Sequence, residues 1–309
     1  MSFSFGINNI SKGNNTYKDK PAGGALPLFY KDKVPAFHPA HTSKNKKRIL
    51  MLLKGFMLSL VLYAVYHLAS NGGQFMFDFS GQSKWERAQL EVRQAMLDSW
   101  HTYEKYGWGY DVYHPIKQEG ENMGPKPLGW MIVDSLDTLM IMDCPEEVSR
   151  ARDWIKNDLD YTFDYNVNTF ETTIRMLGGL LSAYHFSNDD VYLDKAVQLA
   201  NALHGAYDSP SGIPYLSVNL KSGKGIKNHV DNGASSTAEA ATVQLEMKYL
   251  SKLTGEILWW NLAEKVMQVL ESNKPQDGLV PIYVNPDTGK YQGHLIRLGS
   301  RGDSYYEYL

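Results

Sequence analysis

At 309 residues the chain can hold one large domain or two small ones, and its 43% hydrophobic content is that of a globular protein with a sizeable core. The formal net charge of −3 is unevenly spread: residues 1–48 hold nine Lys/Arg against Asp19 and Asp32, a net +7, which leaves −10 on the remainder. An acidic body excludes nucleic-acid binding, which needs clustered Lys and Arg, and a single cysteine, Cys144, excludes a disulfide framework within the chain.

Residues 1–48, rich in Gly, Asn, Lys and Pro and without periodicity, read as a disordered cytosolic tail. Residues 49–69 form an apolar run interrupted only by Lys54, close to the roughly 20 residues that cross a bilayer as a helix. Lys44, Lys46, Lys47 and Arg48 precede it and the uncharged Ser70–Gly73 follows, so the positive-inside rule leaves the tail cytosolic and the body across the membrane. The run starts too far from Met1 to be a signal peptide. Asn9 and Asn14 fit the glycosylation sequon, but in a cytosolic tail they stay unmodified. Residues 70–84, with Gly72, Gly73 and Gly81, read as a stem, and residues 85–309 as the ordered body.

Ser83 and Glu86 have the spacing of a capping box, opening a helix with Trp85, Ala88, Val92, Met96 and Trp100 inward. The run Tyr103–Asp111 reads as an aromatic loop. Residues 130–142 are apolar apart from Asp134 and Asp137, and Pro145 opens the next helix, to about Leu159. Cys144 reads as a small hydrophobe at the turn between them. The stretch from Asn168 to His185 is a helix whose Phe170, Ile174, Leu177 and Leu181 form one apolar stripe, interrupted by Glu171 and Arg175 one turn apart. Val191–Ala206 follows, then a connection through Pro210, Gly212 and Pro214 with a hairpin around Tyr215–Lys221. A second capping-box pattern, Ser236 to Glu239, heads a helix with Ala240, Val243, Met247 and Leu250 inward, ending at Thr254-Gly255. Glu256–Ser272 is another helix, and Arg301–Leu309 begins one more. Paired helices without βαβ units predict an all-α, α/α architecture. The chain stops inside its last helix, which reads as a truncated piece. Half of such an architecture would leave inner faces such as Ile174, Leu177 and Val243 in water.

Four of these segments carry acids: Asp134 and Asp137; Glu171; Glu239 and Glu246, two turns apart; and Asp303 and Glu307, one turn apart. An apolar setting favours the protonated form of a carboxyl group and a neighbouring guanidinium the ionised form. General acids at neutral pH are made from that competition. On the Glu171 stretch alone a buried structural Glu–Arg pair is the leading alternative, since such pairs also perturb titration without catalysing anything. Acids in helix after helix point instead to a polar cavity of the kind polyol substrates need.

These residues resemble glycoside hydrolase family 47, the class I α-1,2-mannosidases. The matching stretches are Lys105–Asp111, Val133–Met140, Phe170–His185, Gly212–Tyr215, Gly233–Glu239 and Gly299–Leu309, in family order. The resemblance implies an (α/α)7 barrel, of which this chain supplies roughly the first half behind its membrane helix. It also implies calcium-dependent, inverting removal of terminal α-1,2-mannose from high-mannose N-glycans at the endoplasmic reticulum membrane. Glu171 falls on the family's general acid and Asp303 on its second catalytic carboxylate. Asp134, Arg175, Glu239, Glu246 and Glu307 fall on cavity-lining, substrate-binding positions. Arg301 falls on a specificity position, where the endoplasmic reticulum enzymes resemble this chain and the Golgi ones usually carry an uncharged residue. The family's third catalytic Glu, its calcium-holding Thr and its cysteine pair have no match before Leu309, so the truncated chain is expected to be inactive. A non-hydrolytic mannose-binding quality-control factor of the same family is the alternative function. A membrane-tethered helical scaffold is a third, which acids set in apolar helices disfavour.

Overall fold

The computed structural model describes residues 54–63, 66 and 83–309. The chain divides into two units, Met1–Gly81 and Gln82–Leu309. In the first, residues 54–63 are helical and exposed. They belong to the expected membrane helix 49–69, the rest of which, with the expected tail and nearly all of the stem, lies outside the described residues apart from residue 66. Among the described residues no helix is long and apolar enough to cross a membrane.

The second unit opens with α1 (Lys84–Gly107), started by the expected capping box: the Ser83 hydroxyl accepts the Glu86 N–H, and the Glu86 carboxylate accepts that of Ser83. The helix runs through half of the expected aromatic loop, because Trp100 and Tyr103 lie one turn apart on its buried side, ring centroids 5.4 Å apart. The N-terminal half departs from expectation. Trp85 and Val92 are 78% and 57% exposed, since α1 meets the core only from Met96 onward.

Helices α2 (Trp130–Ile141) and α3 (Pro145–Asn157) pack on each other. Cys144, buried, occupies the turn before Pro145 as expected. The Asn168–His185 stretch is not one regular helix. It is α4 (Thr169–Glu171), a π-helical segment (Thr172–Leu177) and α5 (Gly178–Ser187). The wider turn shifts the phase, so that Thr172, Thr173, Met176 and Leu177 face the core while Phe170 and Ile174 are only half-buried. Helix α5 lies close against α2: a Cβ on Gly179 would stand 2.7 Å from the Val133 carbonyl oxygen. Then come α6 (Asp190–Leu203), α7 (Thr237–Ala241), α8 (Gln244–Thr254), α9 (Ile257–Asn273) and the short α10 (Asp303–Glu307), with α5 on α6, α5 on α8, α8 on α9 and α7 on α10.

The fold meets expectation at one point and departs from it at a second. First, the unit is helix-rich, as expected. Three small antiparallel sheets join its helices: β1 (Val112–His114) with β2 (Glu119–Glu121); β3 (Asn166–Asn168), β4 (Ser217–Asn219) and β5 (Gly225–Ile226); and β6 (Ser235–Ser236), β7 (Tyr283–Val284) and β8 (Tyr291–Gln292). The hairpin of β4 and β5 forms at the one expected around Tyr215–Lys221; the other strands, of two or three residues, are too short for a period-two pattern to register. Second, Leu177 and Val243 are fully buried rather than left in water. The helices close a core among themselves, and of the three named positions only Ile174 stays partly open.

Candidate active site

Strand β3 and the sheet behind it fix the start of the Glu171 helix. Thr169 donates its N–H to the Leu216 carbonyl at 2.9 Å and its hydroxyl to that of Tyr215 at 2.8 Å. Asn168 is the N-cap: its Oδ1 accepts the Glu171 N–H at 2.7 Å. Its Nδ2 points the other way, making a long 3.5 Å contact with Oε2 of Glu239. One side chain thus spans the elements that carry two acids.

On the π-helical face, Nε of Arg175 donates to Oε2 of Glu171 at 2.9 Å, and a terminal nitrogen of the same guanidinium lies 3.4 Å from Asp134. The guanidinium also sits 5.6 Å from the Trp130 ring centroid, within cation–π range. The Glu171 and Arg175 side chains are 39% and 43% exposed. The buried structural pair weighed from the sequence is therefore not what forms.

The start of α2, which bears Trp130 and Asp134, is organised by Asp111. That carboxylate is buried and accepts N–H groups from Leu128 at 2.8 Å, Gly129 at 2.9 Å, Trp130 at 3.3 Å and Met123 at 3.2 Å. Burial pushes its titration up, and the four amides pull it back.

Glu239 lies in the first turn of α7, its N–H accepted by the Ser236 hydroxyl at 3.3 Å. The reciprocal half of the expected capping box does not form, because the carboxylate turns to Asn168 instead. Burial pushes the Glu239 carboxyl above its usual range; the Asn168 bond and the Arg301 charge oppose this, and the Glu171 charge reinforces it. These couplings place Glu171, Glu239 and Arg301 in one electrostatic neighbourhood. Arg301 itself pairs with Asp231 at 3.3 Å and lies 5.2 Å over the Tyr283 ring.

Of the remaining expected site residues, Glu246 shares a cleft with Asp134, while Asp303 and Glu307 stand apart from Glu171. Helix α7 ends at Ala241 and α8 starts at Gln244, so Glu246 is not two regular turns above Glu239. It is 7% exposed, at the wall of a cleft of about 460 Å³ shared with Asp134, Asp137, Ser182, His185 and Tyr249. Burial pushes it up to about 7, and among the described residues its Oε2 has no hydrogen-bond partner. Asp303 and Glu307 are exposed on α10, which packs on α7; among the described residues no hydrogen bond or ion pair joins either to Glu171. Nor is any group of three or more His, Cys, Asp or Glu among the described residues arranged to hold a metal ion. The Thr to which the resemblance assigns calcium has no match among residues 1–309.

Asn168, Trp130, Asp231 and Tyr283 stand beside the expected site residues without being singled out by the sequence. Asn168 was findable, since an Asn directly before an apolar-periodic run is an N-cap signal. The other three meet Arg175 or Arg301 only through contacts between segments distant in sequence.

Residues 95–309 match the family model for glycosyl hydrolase family 47. The chain is 99% identical over 259 residues to a mannosyl-oligosaccharide 1,2-alpha-mannosidase of Candida albicans, an alignment covering 84% of this chain and 46% of that protein. It is 52% identical over 240 residues to the endoplasmic reticulum mannosyl-oligosaccharide 1,2-alpha-mannosidase of Saccharomyces cerevisiae, covering 71% and 44%. The solved structure of an alpha-1,2-mannosidase from Trichoderma reesei superposes with a TM-score of 0.65 at 26% identity, covering 72% of this chain and 49% of that one. The chain thus spans about half the length of the relatives it matches.

Proposed function

The chain belongs to glycosyl hydrolase family 47, and on that premise we propose that it carries the acid side of a site that hydrolyses terminal α-1,2-linked mannose from high-mannose N-glycans. The carrying observation is the half-exposed Glu171 carboxylate, fixed at its backbone by Asn168 and at its Oε2 by Arg175. An inverting glycosidase needs one carboxylic acid to protonate the leaving oxygen and a base to activate water on the opposite face of the sugar. Glu171 takes the first role. Arg175 and Asp134 hold it in place, and the Trp130 face supports the guanidinium from beneath. Glu239 and Arg301 supply donors and acceptors for sugar hydroxyls.

The rest of the reading follows the family resemblance. Asp303 is the second catalytic carboxylate, and Glu246 and Glu307 line the substrate cavity. The paired helices are part of an (α/α)7 barrel. Calcium is bound with a Thr that has no match in this chain; chelation should abolish turnover of an enzyme of the relatives' length, and added calcium restore it. Residues 49–69 anchor the protein in the endoplasmic reticulum membrane with the body lumenal. Protease on intact microsomes should then remove the tail and spare residues 85–309, and digestion of the body would refute that topology.

The test of the activity uses this chain and a version extended to the relatives' length, each given a high-mannose glycan. Successive loss of single hexoses, released first as the β-anomer by NMR, is the expected result for the extended enzyme. Release first as the α-anomer, or glycan binding without any hydrolysis, would overturn the inverting-hydrolase reading.

A further inference from the structure

Arg301 is held at both ends. Its carbonyl accepts the Ala238 N–H at 3.0 Å and lies 3.4 Å from the Ser236 hydroxyl, which ties it to the first turn of α7, the turn that bears Glu239. Its φ is +75°, in the left-handed region that residues with a side chain seldom occupy. At the far end a single terminal nitrogen, Nη1, takes every contact: it lies 3.3 Å from Oδ2 of Asp231 and donates to the Tyr283 hydroxyl, with the guanidinium over that residue's ring.

The two partners are themselves fixed. Asp231 Oδ2 also accepts from Nδ2 of Asn228 at 3.0 Å, and Asp231, Asn232 and Gly233 follow one another at φ 53°, 54° and 79°. Three successive left-handed residues are not the default path of a loop, so the turn is shaped to aim Asp231. Tyr283 sits in β7, in register with Ser236 of β6, the N-cap of α7. Both supports of the guanidinium are thus built onto the segment that leads into Glu239. Among the described residues Nε and Nη2 of Arg301 make no hydrogen bond, and the side chain is half-exposed. They remain as donors for a ligand, in the planar fork that matches vicinal hydroxyls.

We propose that Asp231 and Tyr283 are positioning residues that lock the Arg301 guanidinium through Nη1, leaving Nε and Nη2 to read sugar hydroxyls and so to set which mannose branch is accepted. This rests on Arg301 being the specificity residue. A long arginine on a strained backbone samples many orientations unless something outside the sugar site holds it, and an arginine free to swing discriminates poorly between branches of similar shape.

The experiment follows branch selectivity, the ratio of removal rates for preferred and disfavoured mannoses of one high-mannose glycan, in an enzyme extended to the relatives' length. Asp231→Asn removes the charge and keeps the shape; Tyr283→Phe keeps the ring and removes the hydroxyl. Each should lower the ratio roughly three- to tenfold, the scale of a partly exposed charged contact. Damage to the fold would lower all rates together and leave the ratio in place. Asp231→Asn added to Arg301→Leu should change nothing further, because the two act through one group. A ratio unmoved by Arg301→Leu sinks the specificity reading itself, and this proposal with it. A ratio moved by Arg301→Leu but by neither Asp231→Asn nor Tyr283→Phe sinks the positioning role alone.

Discussion

Nε of Arg175 donates to Oε2 of Glu171 across one turn of π-helix, at 2.9 Å, and the pair stands open to solvent. An exposed pair adds little to stability. Its geometry nonetheless has three supports: the π-helical segment that carries Arg175, Asp134 on the far side of the guanidinium, and Trp130 beside it. So much structure around an ion pair that does not hold the fold together fits a carboxylate kept in place for a ligand.

Glu171→Gln keeps the shape and removes the transferable proton. In an enzyme of the relatives' length it should cut turnover by roughly a hundredfold or more, the scale of general acid catalysis, with glycan affinity changed far less. In this chain the melting temperature should barely move. Full turnover at equal expression would return Glu171 to a structural role.

Arg175→Lys keeps the charge but cannot reach Glu171 and Asp134 together or lie flat on Trp130. We expect turnover to drop by roughly tenfold, as a poorly placed acid loses part of its general-acid contribution. Steady-state kinetics check this; unchanged turnover would mean that the guanidinium fork is not needed to place the acid.

Asp111→Ala should destabilise the unit by about 2–4 kcal/mol, because buried N–H groups of Leu128 and Gly129 lose their acceptor and the start of α2 loses its cap. Urea unfolding of this chain measures it. A loss below about 0.5 kcal/mol would show that other groups or water replace the carboxylate.

Glu246 gives a pH dependence of definite sign. Burial raises it from the ordinary 4.5 to about 7. Below pH 4.5 both folded and unfolded chains carry the proton. Between 4.5 and 7 the unfolded chain releases it while the folded one keeps it, so stability falls as pH rises, by up to about 3 kcal/mol, and then levels off. Asp134, Asp137 and His185 share its cleft, and Tyr207 and Tyr308 feel its charge, so the measurement is the difference between wild type and Glu246→Gln. Denaturation from pH 4 to 8 should show a flatter profile in the variant; parallel profiles would show that the carboxyl is hydrated when folded.

Much of this protein was legible from residue order. The capping box at Ser83 and Glu86, the helix stop at Gly255, the turn at Cys144 and the run of acids through apolar helices are local or periodic signals, set by backbone hydrogen bonding and side-chain spacing within a few residues. What the tertiary structure alone decided concerns phase and partner. The π-helical turn leaves Ile174 half-buried and Met176 in the core, a departure from the regular 3.6-residue period that the apolar stripe assumed. The N-terminal half of α1 stayed wet, because an apolar stripe is buried only where another element meets it. Asp231 reaches Arg301 across 70 residues of chain, and Asn168 reaches Glu239 across 71. Contacts between segments so far apart leave no periodic trace in either one, and they exist only once the helices have closed on each other.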